Sequence, residues 1–97
     1  MFIGFEQIAV DGSTVHEASE LDIPAQATSA QIQAGAGDIM YTMDESAPGG
    51  SRGMVLETGN NPIEYLIEDI RRIRFCGANG AAASHLKVHY FCGRQTA

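Results

Sequence analysis

The sequence predicts a small all-β sandwich, and three observations predict it. Short runs in which apolar and polar residues alternate recur along the chain. Turn formers separate these runs about every ten residues. Eleven glycines in 97 residues favour many turns over long helices. The length bounds the answer to one domain, residues 1–97, with a real but thin core, so any apolar face left over is available to a partner.

Taken in order, Phe2 to Val10 reads as a strand, closed by the turn signal Asp11-Gly12-Ser13. Leu21 to Pro24 reads as a short edge strand, because its proline cannot donate into a ladder. From Thr28 to Ala34, Ala30, Ile32 and Ala34 share one face while Ser29, Gln31 and Gln33 share the other, and Gly35-Ala-Gly37 ends the run. Asp38 to Met43 follows, with Ile39, Tyr41 and Met43 on one side. Asp44 to Gly53 is a loop, Met54 to Leu56 a strand, and Thr58 to Pro62 a turn. Ile63 to Phe75 is ambiguous: Ile63, Leu66, Ile67 and Ile70 have helical spacing, while Ile73 and Phe75 alternate. It is read as a strand or single turn over Glu64 to Ile67 and a strand over Asp69 to Phe75. His85 to Cys92 is the clearest strand, with Leu86, Val88 and Tyr90 facing one way and His85, Lys87 and His89 the other. Seven or eight short strands so spaced argue for a sandwich or small barrel.

If the last two strands form a hairpin, pairing Phe75 with Leu86 and Ile73 with Val88 brings their apolar faces together. That register gathers Arg72, Arg74, His85, Lys87, His89 and Cys76 on the opposite face. A chain with 12 acidic and 6 basic residues, net −6, would then carry one basic patch, either a solvated face or a contact surface. The same acidic balance argues against direct binding of nucleic acid. No apolar run is long enough to span a membrane, and Met1-Phe-Ile-Gly-Phe-Glu6 lacks the basic start of a signal peptide. Cys76 and Cys92 suit a reducing cytoplasm as unpaired thiols, with Cys92 ending the core stripe.

No catalytic constellation is expected. His85 and His89, four apart on a strand, would be separated by ~13 Å, too far to share one zinc ion. The adjacent carboxylates Asp44-Glu45 and Glu68-Asp69 point apart. Gly49, Gly50 and Gly53 around Ser51 and Arg52 lack the lysine and helix of a phosphate cradle. Asp44, Glu45 and Ser46 lack the spacing of a calcium loop. Neither a metal nor a cofactor is implied. The N-terminal strand carries apolar residues on both faces: Ile3 and Phe5 on one, Phe2, Ile8 and Val10 on the other unless a bulge intervenes. Such a strand suits either an ordinary buried position or a place between its own core and a neighbouring subunit.

From Leu21 onward the chain resembles a family of small virion structural proteins of tailed bacteriophages. The residues that carry the likeness are Leu21-Asp-Ile-Pro-Ala25, Ala30-Gln-Ile-Gln-Ala34, Asp38-Ile-Met-Tyr-Thr-Met-Asp44 with Pro48, Gly53 with Leu56, Ile70-Arg-Arg-Ile-Arg-Phe75 and Leu86-Lys-Val-His-Tyr90. Tyr41-Thr-Met-Asp44 with Pro48 also resembles a strand and turn of Ig-like modules appended to glycosidases, with Glu45 where a glycine often stands. The phage resemblance implies a jelly-roll or Ig-like sandwich, often oligomeric, on the capsid or tail. The first twenty residues fall outside it.

The expected function is therefore a non-enzymatic capsid decoration (cement) protein, present in the virion after assembly in the host cytoplasm. Its expected partners are the major capsid protein or other virion proteins, together with further copies of itself, as a trimer. The expected contact residues are Phe2, Ile3, Phe5, Arg72, Arg74, His85, Lys87 and His89. A tail- or fibre-associated module that binds a host-surface glycan is the alternative, with Tyr41, Tyr65 and Phe91 as its aromatic candidates.

Overall fold

Eight strands form where the alternating runs lie: β1 (Phe2–Val10), β2 (His16–Glu17), β3 (Ser29–Gly35), β4 (Ile39–Thr42), β5 (Met54–Leu56), β6 (Ile63–Leu66), β7 (Arg74–Gly77) and β8 (Ser84–Phe91). A single helical turn, α1 (Ile67–Ile70), follows β6. The computed structural model describes residues 1–11, 14–46, 48, 53–78 and 84–92. Gly12 and Ser13 of the first turn, Ala47 and Gly49 to Arg52 of the Asp44–Gly53 loop, residues 79–83 between β7 and β8, and residues 93–97 lie outside the described residues.

The strands build two four-stranded sheets. The first has the order β1-β8-β3-β6 and the second β2-β7-β4-β5. All pairings are antiparallel. First pairs with last, second with seventh, third with sixth and fourth with fifth, so the chain is a long antiparallel ribbon rolled into a sandwich. This is the strand order of a jelly roll. An Ig-like sandwich would instead hydrogen-bond several consecutive strands as hairpins, whereas here only β4 and β5 are consecutive partners.

Alternation decides what the sandwich encloses. Along β3 and β8 every second residue is buried, so Ala30, Ile32 and Ala34 meet Leu86, Val88 and Tyr90 inside the first sheet. Ile39, Tyr41, Leu56, Ile73 and Phe75 close the core from the side of the second sheet, with Met43 packed at its margin. The two sheets are also tied by polar tips: the hydroxyls of Tyr41 on β4 and Tyr65 on β6 share a hydrogen bond of 2.6 Å. Each tyrosine thus satisfies the other where water is excluded.

Three expectations are corrected. Strands β7 and β8 do not pair: β7 lies between β2 and β4, and β8 lies between β1 and β3 in the other sheet. Phe75 and Leu86 still share the core, but across the sandwich. Leu21 to Pro24 is not a strand. Leu21 is buried, the Asp22 N–H donates to the Glu6 carboxylate, and the Pro24 carbonyl accepts from Ala27 N–H in a turn. Residues 69–73 are not extended either, because helical spacing wins there. Ile67, Ile70 and Ile73 are all buried, and α1 is continued by Arg72 N–H donating to Asp69 O and Ile73 N–H to Ile70 O. The two-residue β2 was not expected; too short to show alternation, it is held by pairing with Arg74 and Phe75.

Candidate docking face

The outer face of the first sheet is where most of the expected contact residues converge. The register of β1 on β8 slips between Phe2 and Gly4, a bulge that turns Phe2 to the same side as Phe5. Phe2 then stands opposite Phe91, and Phe5 opposite His89. Ile3 is the inserted residue and packs against the core, while Ile8 and Val10 line the interior. The grouping of Ile3 with Phe5 is corrected accordingly, and Phe2 joins the outer set.

The result is an aromatic cluster in the open. The His89 ring sits between Phe2 and Phe5, with centroid distances of 5.6 and 4.7 Å, and Phe2 meets Phe91 edge-on at 6.1 Å. About half of Phe2 (52%) and of Phe5 (49%) remains exposed, with Met1 (82%) preceding them, while Leu66 (62%) is exposed on β6 at the opposite edge of the sheet. Two large rings stacked on a neighbour yet half in water form the kind of apolar patch that marks an interaction surface. A shallow groove of about 490 Å³ adjoins it, bounded by Met1, Phe91 and Cys92 on one side and Leu66 and Glu64 on the other. Cys92 is half-exposed in this groove and does not end the core stripe.

Toward the opposite end of the same face the character changes. Lys87 and His85 follow His89 on β8, facing Gln7 and Ala9 on β1. The Lys87 stem lies across Gly35, where an added Cβ would come within 2.7 Å of its Cε. A glycine there leaves the slot in which the aliphatic part of the lysine rests. The face thus runs from aromatic to basic.

The two arginines belong elsewhere, which corrects the expected basic patch. Arg74 is on β7 beside Glu17 and Thr42. Arg72, after α1, has its Nε 3.7 Å from Glu45 Oε2. Both sit among carboxylates around the outer edge of the second sheet. The parity argument was sound for each strand, but the strands have different neighbours.

The second sheet covers the centre of its own outer face, leaving Val55 of β5 exposed at the edge. Met40, Cys76 and Ala78 are buried there as a separate apolar cluster. The Thr42 hydroxyl donates to Ser46 O, and Pro48 is buried. Gly53 approaches so closely that a Cβ would lie 2.9 Å from Met40 Cγ, 3.0 Å from Tyr41 O and 3.4 Å from Pro48 Cβ. Burial, and secondarily the charge of Asp11, pushes the Cys76 thiol up, away from the reactive thiolate. Cys76 is on the second sheet and Cys92 ends β8 of the first, and both are free thiols.

Buried polar groups are satisfied internally. Tyr90 donates to the Glu6 carboxylate, which also accepts from Asp22 N–H. Burial first, and then that hydrogen bond, raises the Tyr90 hydroxyl far above the ordinary tyrosine range; Tyr41 is raised by burial and by Tyr65. Tyr41 is only 1% exposed, so of the three aromatic residues considered for a glycan only Tyr65 and Phe91, both partly buried, reach the surface, and the Tyr65 hydroxyl is bonded to Tyr41. Among the described residues, no group of three or more His, Cys, Asp and Glu side chains is placed to hold a metal ion. No described helix is long and apolar enough to cross a membrane. Compared with protein-family models, curated proteins and solved structures, the chain finds no match in any of the three.

Proposed function

We propose that this chain is a non-enzymatic structural subunit of a tailed-phage virion that decorates the shell, docking on the major capsid protein through the outer face of its first sheet. The observation that carries this reading is the half-exposed aromatic cluster Phe2–His89–Phe5 with Phe91, next to the exposed Met1. A face of this kind gains by burial against a partner: two phenylalanines offer large apolar area at little entropic cost. The jelly-roll order suits the role, since viral capsid domains share it, but lectins and cupins do too, and a fold does not by itself select a function. The choice among these rests on the sequence resemblance to virion proteins. Lys87 and His85 at the far end of the face would steer it toward an acidic patch on the shell.

Particles of the phage made without this chain test the proposal. They should lose resistance to heat and to low salt, and regain it on addition of the purified protein but not of the Phe2→Ser/Phe5→Ser variant. Particles equally resistant without the chain would overturn the decoration role. Hundreds of copies per particle are expected; a handful would move the subunit to the tail or connector.

A further inference from the structure

We infer that the free edge of β1 pairs with β1 of a second copy about a two-fold axis, joining two first sheets into one continuous sheet. β1 is the terminal strand of its sheet and, at nine residues, the longest in the molecule. The other terminal strands have two, three and four residues. Exposed edges are normally blunted by shortness, lysine, proline, inward-pointing charge, a bulge or a covering segment. β1 has neither lysine nor proline; its bulge is confined to Phe2–Gly4 and leaves the rest of the strand regular, and its one inward charge, Glu6, is engaged by Tyr90 and Asp22.

The strand is also complementary to itself. Its regular part after the bulge runs from Gly4 to Val10, with Gln7 at the midpoint. An antiparallel pair centred there sets Gln7 opposite Gln7 of the second copy, Phe5 opposite Ala9, Glu6 opposite Ile8 and Gly4 opposite Val10. Phe5 meets the small Ala9 and Val10 meets Gly4, the two glutamine amides can bond each other, and no carboxylate faces another. Outward residues meet outward residues, so the aromatic faces of the two copies lie side by side on one surface. The seven paired residues give an edge of roughly 23 Å on a sandwich about 10 Å deep, a contact on the order of 500 Å² in total, which suits a weak, reversible dimer. An interface in which the same patch serves both copies closes at two. This pairing does not depend on attachment to a shell: it is a property of the isolated chain.

Sedimentation equilibrium of the purified full chain should give a reversible dimer. With Cys92→Ser as background, Gln7→Cys should form an intermolecular disulfide under mild oxidation, while Phe5→Cys, set about 13 Å from its own equivalent, should not. Gln7→Lys, an exposed change whose folding is checked by circular dichroism, should weaken the dimer roughly fivefold by placing like charges across the axis. A chain that stays monomeric at several hundred micromolar, or that forms a discrete trimer, overturns the inference. So does crosslinking at position 5 in place of position 7. Particles equally resistant without the chain, while the purified chain dimerises as described, would sink the proposed function alone.

Discussion

The two sheets share one interior but treat their outer faces in opposite ways. The second sheet folds its own chain over Met40, Cys76 and Ala78 and leaves that apolar cluster buried. The first sheet stacks Phe2 and Phe5 around His89 and leaves both rings half in water. In a thin domain every buried apolar group counts, so an aromatic cluster left open beside a covered one is the contrast on which the proposed docking face rests. Substituting residues on the two outer faces asks whether it is real.

The largest expected difference comes from matched truncations. Met40→Ala, on the covered face, should cost about 3 kcal/mol in urea unfolding, because it empties a buried site. Phe5→Ala, on the open face, should change stability by about 0.5 kcal/mol or less while removing more apolar area. Equal losses would mean that the open face is part of the core after all. The shared interior is probed by alkaline titration. Tyr41 and Tyr90 keep their protons in the folded state at pH values where the unfolded chain, with tyrosines near ~10, has lost them. Raised folded values contribute stability below pH ~10 that falls as pH rises above it, by about 1.4 kcal/mol per pH unit for each tyrosine. Tyr90→Phe should halve that slope in denaturant melts taken across this range.

Glycine substitutions sharpen the contrast at the covering segment. Gly53 has φ +121° and Gly59 φ +88°, so alanine is strained at both. At Gly53 the new Cβ also meets Met40 and the Tyr41 carbonyl, whereas at Gly59 it meets nothing. Gly53→Ala should cost about 2–3 kcal/mol and Gly59→Ala about 1 kcal/mol. The smallest effect is at the margin of the second sheet. His16 Nδ1 lies 2.7 Å from Glu20 Oε1, and that hydrogen bond holds the Glu20 carboxyl below its ordinary value. A lowered carboxylate stabilises at pH above its ordinary range, and the contribution is lost as pH falls through the lowered value. His16→Phe, which keeps the stacking on Phe75, should remove this small acid dependence and little else in a pH series of thermal melts.

The sandwich was legible in the sequence because period-two alternation reports directly which face of a strand is buried. β1, β3, β4, β5 and β8 lie within a residue or two of where the pattern puts them. Alternation does not report which strand lies alongside. The stripe Leu86, Val88, Tyr90 fits the stripe on β3 and the inward residues of β1 as well as it fits Phe75, so a consistent parity could not choose the partner. The distribution of the contact residues went wrong for that reason alone. His85, Lys87 and His89 face outward as their parity requires, and Arg72 and Arg74 lie on another sheet. Phe2 and Phe5 are both legible as apolar residues of the first strand, but their sharing one face depends on a bulge at Ile3 that no residue type announces. β2 and the Leu21–Pro24 crossing are held by long-range partners, a strand pair in one case and a glutamate side chain in the other.

Pairing of the first strand with the last has a consequence for biogenesis. The Met1 carbonyl accepts from Cys92 N–H, and β1 is matched to β8 along nearly its whole length. Until residues 84–91 have left the ribosome, β1 has no ladder and the first sheet lacks its second strand. A nascent chain would carry Phe2 and Phe5 unpaired throughout synthesis, and loop closure between the two ends comes late and slowly. The same aromatic residues that stay half-exposed in the folded chain are then the ones most in need of protection while it is being made.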